Sequence, residues 1–74
     1  MRSLNHRQML AFRAVMISGS MTAAGRILHI SQPAVTRLVR DLEAELGLTL
    51  FARKWSSVRP TTEAVALFRE VEKY

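Results

Sequence analysis

Arg37 and Arg40 stand three positions apart, and Pro33 and Thr36 fall at the spacing that places all four on one side of a helix. Guanidinium groups in such a row are planar, permanently charged donors suited to phosphate oxygens. The charge pattern of the whole chain agrees. Arg2, Arg7, Arg13, Arg26, Arg37 and Arg40 precede the first acid, Asp41. Glu43 and Glu45 follow, and then a second basic cluster of Arg53, Lys54 and Arg59. The formal net charge is +5. Two basic regions with the acids held between them are what a polyanion-binding surface shows.

Other chemistries find little support. The chain has no cysteine, which removes disulfides, thiolate zinc and a cysteine nucleophile. Absence of cysteine also suits a reducing cytoplasm. His6 and His29 are far apart and have no carboxylate at ligand spacing, so no metal is expected. The serines lack a base and an orienting partner. The three glycines are scattered and do not make a phosphate-cradling loop. No apolar run approaches the roughly 18 residues of a membrane span. The first residues lack the apolar stretch and cleavage site of a signal peptide. The expectation is a soluble, cytoplasmic module that is not an enzyme and uses neither cofactor nor metal.

The 74 residues make one domain or a piece of a longer chain. Residues 5–18 predict a helix. Asn5 is its cap, Gln8 completes a capping-box pattern, and Leu4 is placed to staple onto Met9. Met9, Phe12, Val15 and Met16 form its apolar stripe, and Gly19 ends it. Ser20 caps a short second helix through Leu28 that contains Ala23, Ala24 and Gly25. A glycine inside a helix costs about 1 kcal/mol against alanine, and close packing is the reason to accept that cost. Ser31 caps a third helix over 32–46 with Pro33 in its first turn and Gly47 as its stop. Val35, Leu38, Val39, Leu42 and Leu46 share an arc of about 100° on that helix. A hairpin is expected from two short extended segments, one beginning near Leu48 and one at Ser57–Pro60. Thr61 or Thr62 caps a fourth helix, whose apolar side is Ala64, Leu67, Phe68 and Val71.

Residues 21–40 then read as two helices across a three-residue turn, His29-Ile30-Ser31. Gly25 admits the second helix at a steep angle, and Leu28, Ile30, Val35 and Leu38 hold the pair together. This is the helix-turn-helix pattern, which presents the start of its second helix to a major groove. His29 occupies the turn position that often carries glycine, and histidine enters the left-handed region more readily than most residues.

Ser31-Gln32-Pro33-Ala34, then Leu42-Glu43-Ala44-Glu45-Leu46-Gly47, then Leu50-Phe51-Ala52-Arg53 resemble, in order and spacing, the N-terminal domain of LysR-type transcriptional regulators. The resemblance implies a mainly α fold, a winged helix-turn-helix with a three-helix core, a short β-hairpin wing and the start of a C-terminal linker helix. Residues 1–61 would be the DNA-binding domain, with the wing at about 49–60, and 62–74 the start of the linker or dimerisation helix. The family's effector-binding domain is absent from this chain, so a small-molecule effector is expected only through that missing part. The implied partner is an interrupted palindrome of double-stranded DNA, bound by a homodimer through Ala64, Leu67, Phe68 and Val71. Arg53 stands where the family has its wing arginine.

On that footing each residue takes a role. Gln32 suits an adenine edge, and Pro33 and Ala34 suit a thymine methyl. Thr36 suits a base or a phosphate, and Arg37 a guanine or a phosphate. Arg40, Lys54 and Arg59 suit phosphates. Ser31 and the free N–H groups of the third helix suit a phosphate too. The chain departs from the family pattern at His6, often leucine, at the glycine-free Lys54-Trp55-Ser56-Ser57, and at Pro60-Thr61-Thr62-Glu63-Ala64. The alternative reading is a winged-helix protein-interaction module without sequence-specific DNA readout. The basic character of the exposed third-helix face argues against it.

Overall fold

Short-range signals set the ends of the first three helices. The structure, a computed structural model, describes residues 5–54 and 57–72. Helix α1 is His6–Ser18, α2 is Met21–Leu28 and α3 is Gln32–Leu46. The Asn5 side chain accepts from the N–H groups of Arg7 at 2.8 Å and Gln8 at 3.2 Å. The return arm of the expected capping box does not form, because Gln8 Oε1 is buried without a hydrogen-bond partner. Leu4, the other half of the expected staple, lies outside the described residues. Ser20 and Ser31 each accept from the N–H three residues on, Ala23 at 2.9 Å and Ala34 at 3.2 Å. Gly19 (φ 77°) and Gly47 (φ 67°) end α1 and α3 in the left-handed region.

The turn between α2 and α3 explains both of its unusual residues. His29 is left-handed at φ 60°, the non-glycine exception among the described residues. The Ile30 N–H then reaches back 2.9 Å to the Gly25 carbonyl. A Cβ on Gly25 would stand 2.7 Å from the Ile30 oxygen. The neighbour that requires glycine is therefore the backbone of the turn itself.

The core gathers at the meeting of α1 and α3. Phe12 and Val15 from α1 and Val35, Val39 and Leu42 from α3 are buried, with Ala24 from α2 and Leu50 beside them. Burying a side chain of this size contributes about 1.5–3 kcal/mol. Phe12 has a second task. Its ring meets Phe51 at a centroid distance of 5.8 Å and Phe68, edge-on, at 6.5 Å. One aromatic thus attaches both the hairpin and the last helix to the helical core, and such pairs add about 0.5–1.5 kcal/mol beyond burial.

Strands β1 (Phe51–Lys54) and β2 (Ser57–Pro60) pair antiparallel, with Phe51 opposite Pro60 and Lys54 opposite Ser57. Residues 55 and 56, including Trp55, lie outside the described residues. The first strand starts later than the apolar run from Leu48 predicted. The reason is that Leu50 spends its backbone groups elsewhere. Its N–H donates to Glu43 Oε2 at 2.7 Å, and its carbonyl accepts from the Thr61 N–H at 2.9 Å. Thr61, rather than Thr62, caps α4 (Thr62–Val71), its hydroxyl oxygen accepting from the Ala64 N–H at 3.1 Å. The architecture is a winged helix-turn-helix: three helices, a two-stranded hairpin and a further helix.

Candidate nucleic-acid interface

Because α3 turns Val35, Val39 and Leu42 inward, its opposite side must face solvent. Gln32, Pro33, Arg37 and Arg40 are exposed there, while Ala34 and Thr36 are half-buried. Gln32, Pro33, Thr36, Arg37 and Arg40 line one shallow groove of about 490 Å³. Asp41 lines it as well. The sequence alone sets this acid between the basic clusters, and the structure adds it to the lining of this face. Neither Arg37 nor Arg40 is in an ion pair with a described residue, so both guanidinium groups are open to an incoming anion.

Three hydrogen bonds refine the expected roles at the start of α3. Ser31 Oγ is engaged by the Ala34 N–H, and the Val35 N–H reaches the Ser31 carbonyl at 3.1 Å. Pro33 has no N–H. Of the first-turn donors, only that of Gln32 remains. The Gln32 side chain is itself held, since its Nε2 donates to Thr36 Oγ1 at 2.7 Å.

The second basic cluster belongs to the hairpin, and its described side chain, Arg59, is not among the residues that line this groove. Arg59 is exposed on β2, opposite Ala52. Arg53 and Lys54 are placed by backbone register, opposite Val58 and Ser57, and their side chains lie outside what the structure describes. What positions this hairpin was not legible in advance. Glu43, on α3, accepts from the N–H groups of Leu50 at 2.7 Å and Phe51 at 3.3 Å through one carboxylate oxygen. The Thr61 hydroxyl donates to the Thr49 carbonyl at 2.7 Å from the other side. Both residues were visible only as an acid in a helix and a candidate cap.

The model of the family described as bacterial regulatory helix-turn-helix protein, lysR family, matches residues 6–65. The chain belongs to the LysR family. It is 51% identical over 71 residues to the regulatory protein NocR of Agrobacterium fabrum (strain C58 / ATCC 33970), across 96% of this chain and 24% of that protein. It is 46% identical over 70 residues to the octopine catabolism/uptake operon regulatory protein OccR of Rhizobium meliloti, across 95% of this chain and 24% of that protein. The chain therefore spans about a quarter of the length of these LysR-family relatives. The crystal structure of the CbnR DBD–DNA complex is similar with a TM-score of 0.90 at 36% identity, over 95% of this chain and 80% of that one.

Within this LysR-family domain, the expected dimerisation residues divide. Ala64 is fully buried in the chain's own core and Phe68 leans on Phe12, so neither presents its whole side chain outward. Leu67 and Val71 are half-buried and line a groove of about 730 Å³ between α1 and α4, with Met9 and Leu10 opposite. Arg13 Nε and Glu72 Oε2, 2.7 Å apart, bridge the same two helices. Among the described residues no helix is long and apolar enough to cross a membrane.

Proposed function

We propose that this domain binds double-stranded DNA sequence-specifically as the DNA-reading part of a bacterial transcriptional regulator, and that it is not an enzyme. The observation that carries this reading is the exposed face of α3, where Gln32, Pro33, Arg37 and Arg40 share one groove and neither arginine is in an ion pair with a described residue. Likeness to a domain solved on DNA supports it. Helix α3 enters the major groove, and the hairpin lies at the adjacent minor groove or backbone. Gln32 reads an adenine edge, and Pro33 and Ala34 meet a thymine methyl. Arg37 contacts a guanine or a phosphate, Arg53 the minor groove or the backbone, and Ser31, Arg40, Lys54 and Arg59 contact phosphates. The active form is a cytoplasmic homodimer joined along α4, with Leu67 and Val71 supplying the accessible apolar surface. It recognises an interrupted palindrome, and an effector acts through the part of the protein beyond this domain.

The test is selection from a pool of random duplexes, with anisotropy titration of the selected sites at several salt concentrations. Arg37→Ala weakens specific binding by about 1–3 kcal/mol and changes the preferred bases. Lys54→Ala instead weakens all sequences alike and flattens the salt slope by about one unit. If Arg37→Ala leaves affinity and preference intact, α3 is not the reading element. If the unaltered protein binds no duplex at low salt, the interaction-module reading takes first place.

A further inference from the structure

Two polar side chains of the reading face, Gln32 and Thr36, are already engaged with each other within their own helix. Its amide nitrogen donates to Thr36 Oγ1 at 2.7 Å, one helical turn on. Both residues line the groove with Arg37 and Arg40. Gln32 is exposed, whereas Thr36 is half-buried and so carries the less mobile of the two side chains.

A carboxamide has two ends of opposite character, an oxygen that only accepts and an NH₂ that only donates. Which base it reads depends on which end is presented where. Adenine shows the major groove an acceptor, N7, beside a donor, N6–H₂, so it pairs bidentately with an amide that offers one N–H beside its oxygen. An amide free to rotate by half a turn also satisfies the O4 of thymine, the O6 and N7 of guanine or the N4–H₂ of cytosine, one bond at a time. Rotational freedom at this position therefore means degenerate readout.

We infer that Thr36 is a positioning residue for specificity: its hydroxyl fixes the rotational state of the Gln32 amide, and this makes the position read by Gln32 selective for adenine. The amide nitrogen has two hydrogens, of which Thr36 takes one. With Thr36 on the hydrogen anti to the oxygen, the second N–H and the oxygen remain, side by side, as the donor–acceptor pair that matches N7 and N6–H₂ of adenine. The threonine oxygen accepts this bond through one lone pair, and its own O–H stays available to donate to a base or a phosphate. Ordering the amide before the complex forms also removes rotamer entropy that binding must otherwise overcome. This inference rests on the proposed DNA-reading role of α3.

The test compares base preferences selected by the full chain and three variants from randomised duplexes. Gln32→Ala identifies the position that Gln32 reads, as the one whose preference it abolishes. Thr36→Val keeps the branched shape and removes the hydroxyl. It is expected to lower the adenine preference at that same position by about two- to tenfold, the range one hydrogen bond contributes, with the other positions unchanged. Thr36→Ser keeps the hydroxyl and is expected to restore the preference, which a role in packing alone does not explain. Thermal melting of each variant separates loss of fold from loss of selectivity. Retention of the full adenine preference by Thr36→Val overturns the inference while leaving DNA reading intact, and so does equal flattening of every position. An unaltered protein that selects no sequence overturns the DNA reading and this inference together.

Discussion

The helix-turn-helix unit and the hairpin junction are built by different means. Across residues 20–46, each tie closes over a few positions: Ser20 to Ala23, Ser31 to Ala34, Ile30 back to Gly25. At the hairpin the ties come from elsewhere in the chain, from Glu43 on one side and Thr61 on the other, both onto the three residues before and at the start of β1. The first unit has its geometry written into adjacent residues. The second borrows its geometry from two helices it does not belong to. A reading face and a basic hairpin are thus positioned with different degrees of local autonomy.

That contrast is open to attack from either side, and the largest effect is expected in the helix-turn-helix. Gly25→Ala places a methyl group 2.7 Å from the Ile30 carbonyl, so the turn must shift. The cost is about 3 kcal/mol, the upper end of what overpacking usually takes, and a urea unfolding curve measures it. An unchanged midpoint would mean that the turn yields easily and is not a rigid hinge between α2 and α3.

Glu43→Ala leaves the N–H groups of Leu50 and Phe51 without their acceptor, at about 2 kcal/mol, the usual worth of hydrogen bonds to a charged group. Amide hydrogen exchange sharpens the comparison. Protection is expected to fall at Leu50 and Phe51 and to persist at Val35 and Val39. Equal loss at both places would show that the two regions unfold as one unit. The smallest effect belongs to His29→Gly. Glycine removes the left-handed penalty of about 1–2 kcal/mol but gives part of it back in chain entropy. A net gain of about 0.5 kcal/mol raises the melting temperature by about 2–4 °C in a domain of this size. A fall in melting temperature would assign the His29 side chain a contact worth more than the strain.

The same contrast explains what was legible in the sequence. Caps, stops and the α3 stripe are signals of three or four residues' range, and each appears where Asn5, Ser20, Ser31, Gly19 and Gly47 placed it. The Gln8 return arm is the local exception, its oxygen buried away from the Asn5 N–H. Glu43 read as one acid among three, because nothing near it announces that the chain returns to its carboxylate at Leu50. The start of β1 was placed early for a related reason, since an apolar run does not reveal that Leu50 is bonded sideways to Glu43 and Thr61. Ala64 looked like part of an outward apolar side until the packing of α4 on the core enclosed it. For the reading face, periodicity was enough to bring Pro33, Thr36, Arg37 and Arg40 together, and the family resemblance added Gln32. Both were silent on the bond between Gln32 and Thr36, which depends on rotamers.

The Thr61 clasp also has a meaning in time. On a translating ribosome the chain emerges from its N-terminus at about 5–20 residues per second. Everything that closes the helix-turn-helix has appeared once Gly47 is out. When the segment around Leu50 follows, only one of its two holders, Glu43, is already out, and the second arrives with Thr61, which also starts the last helix. Closure of the hairpin base and birth of α4 are therefore a single event in synthesis, carried by one hydroxyl that donates to Thr49 and accepts from Ala64.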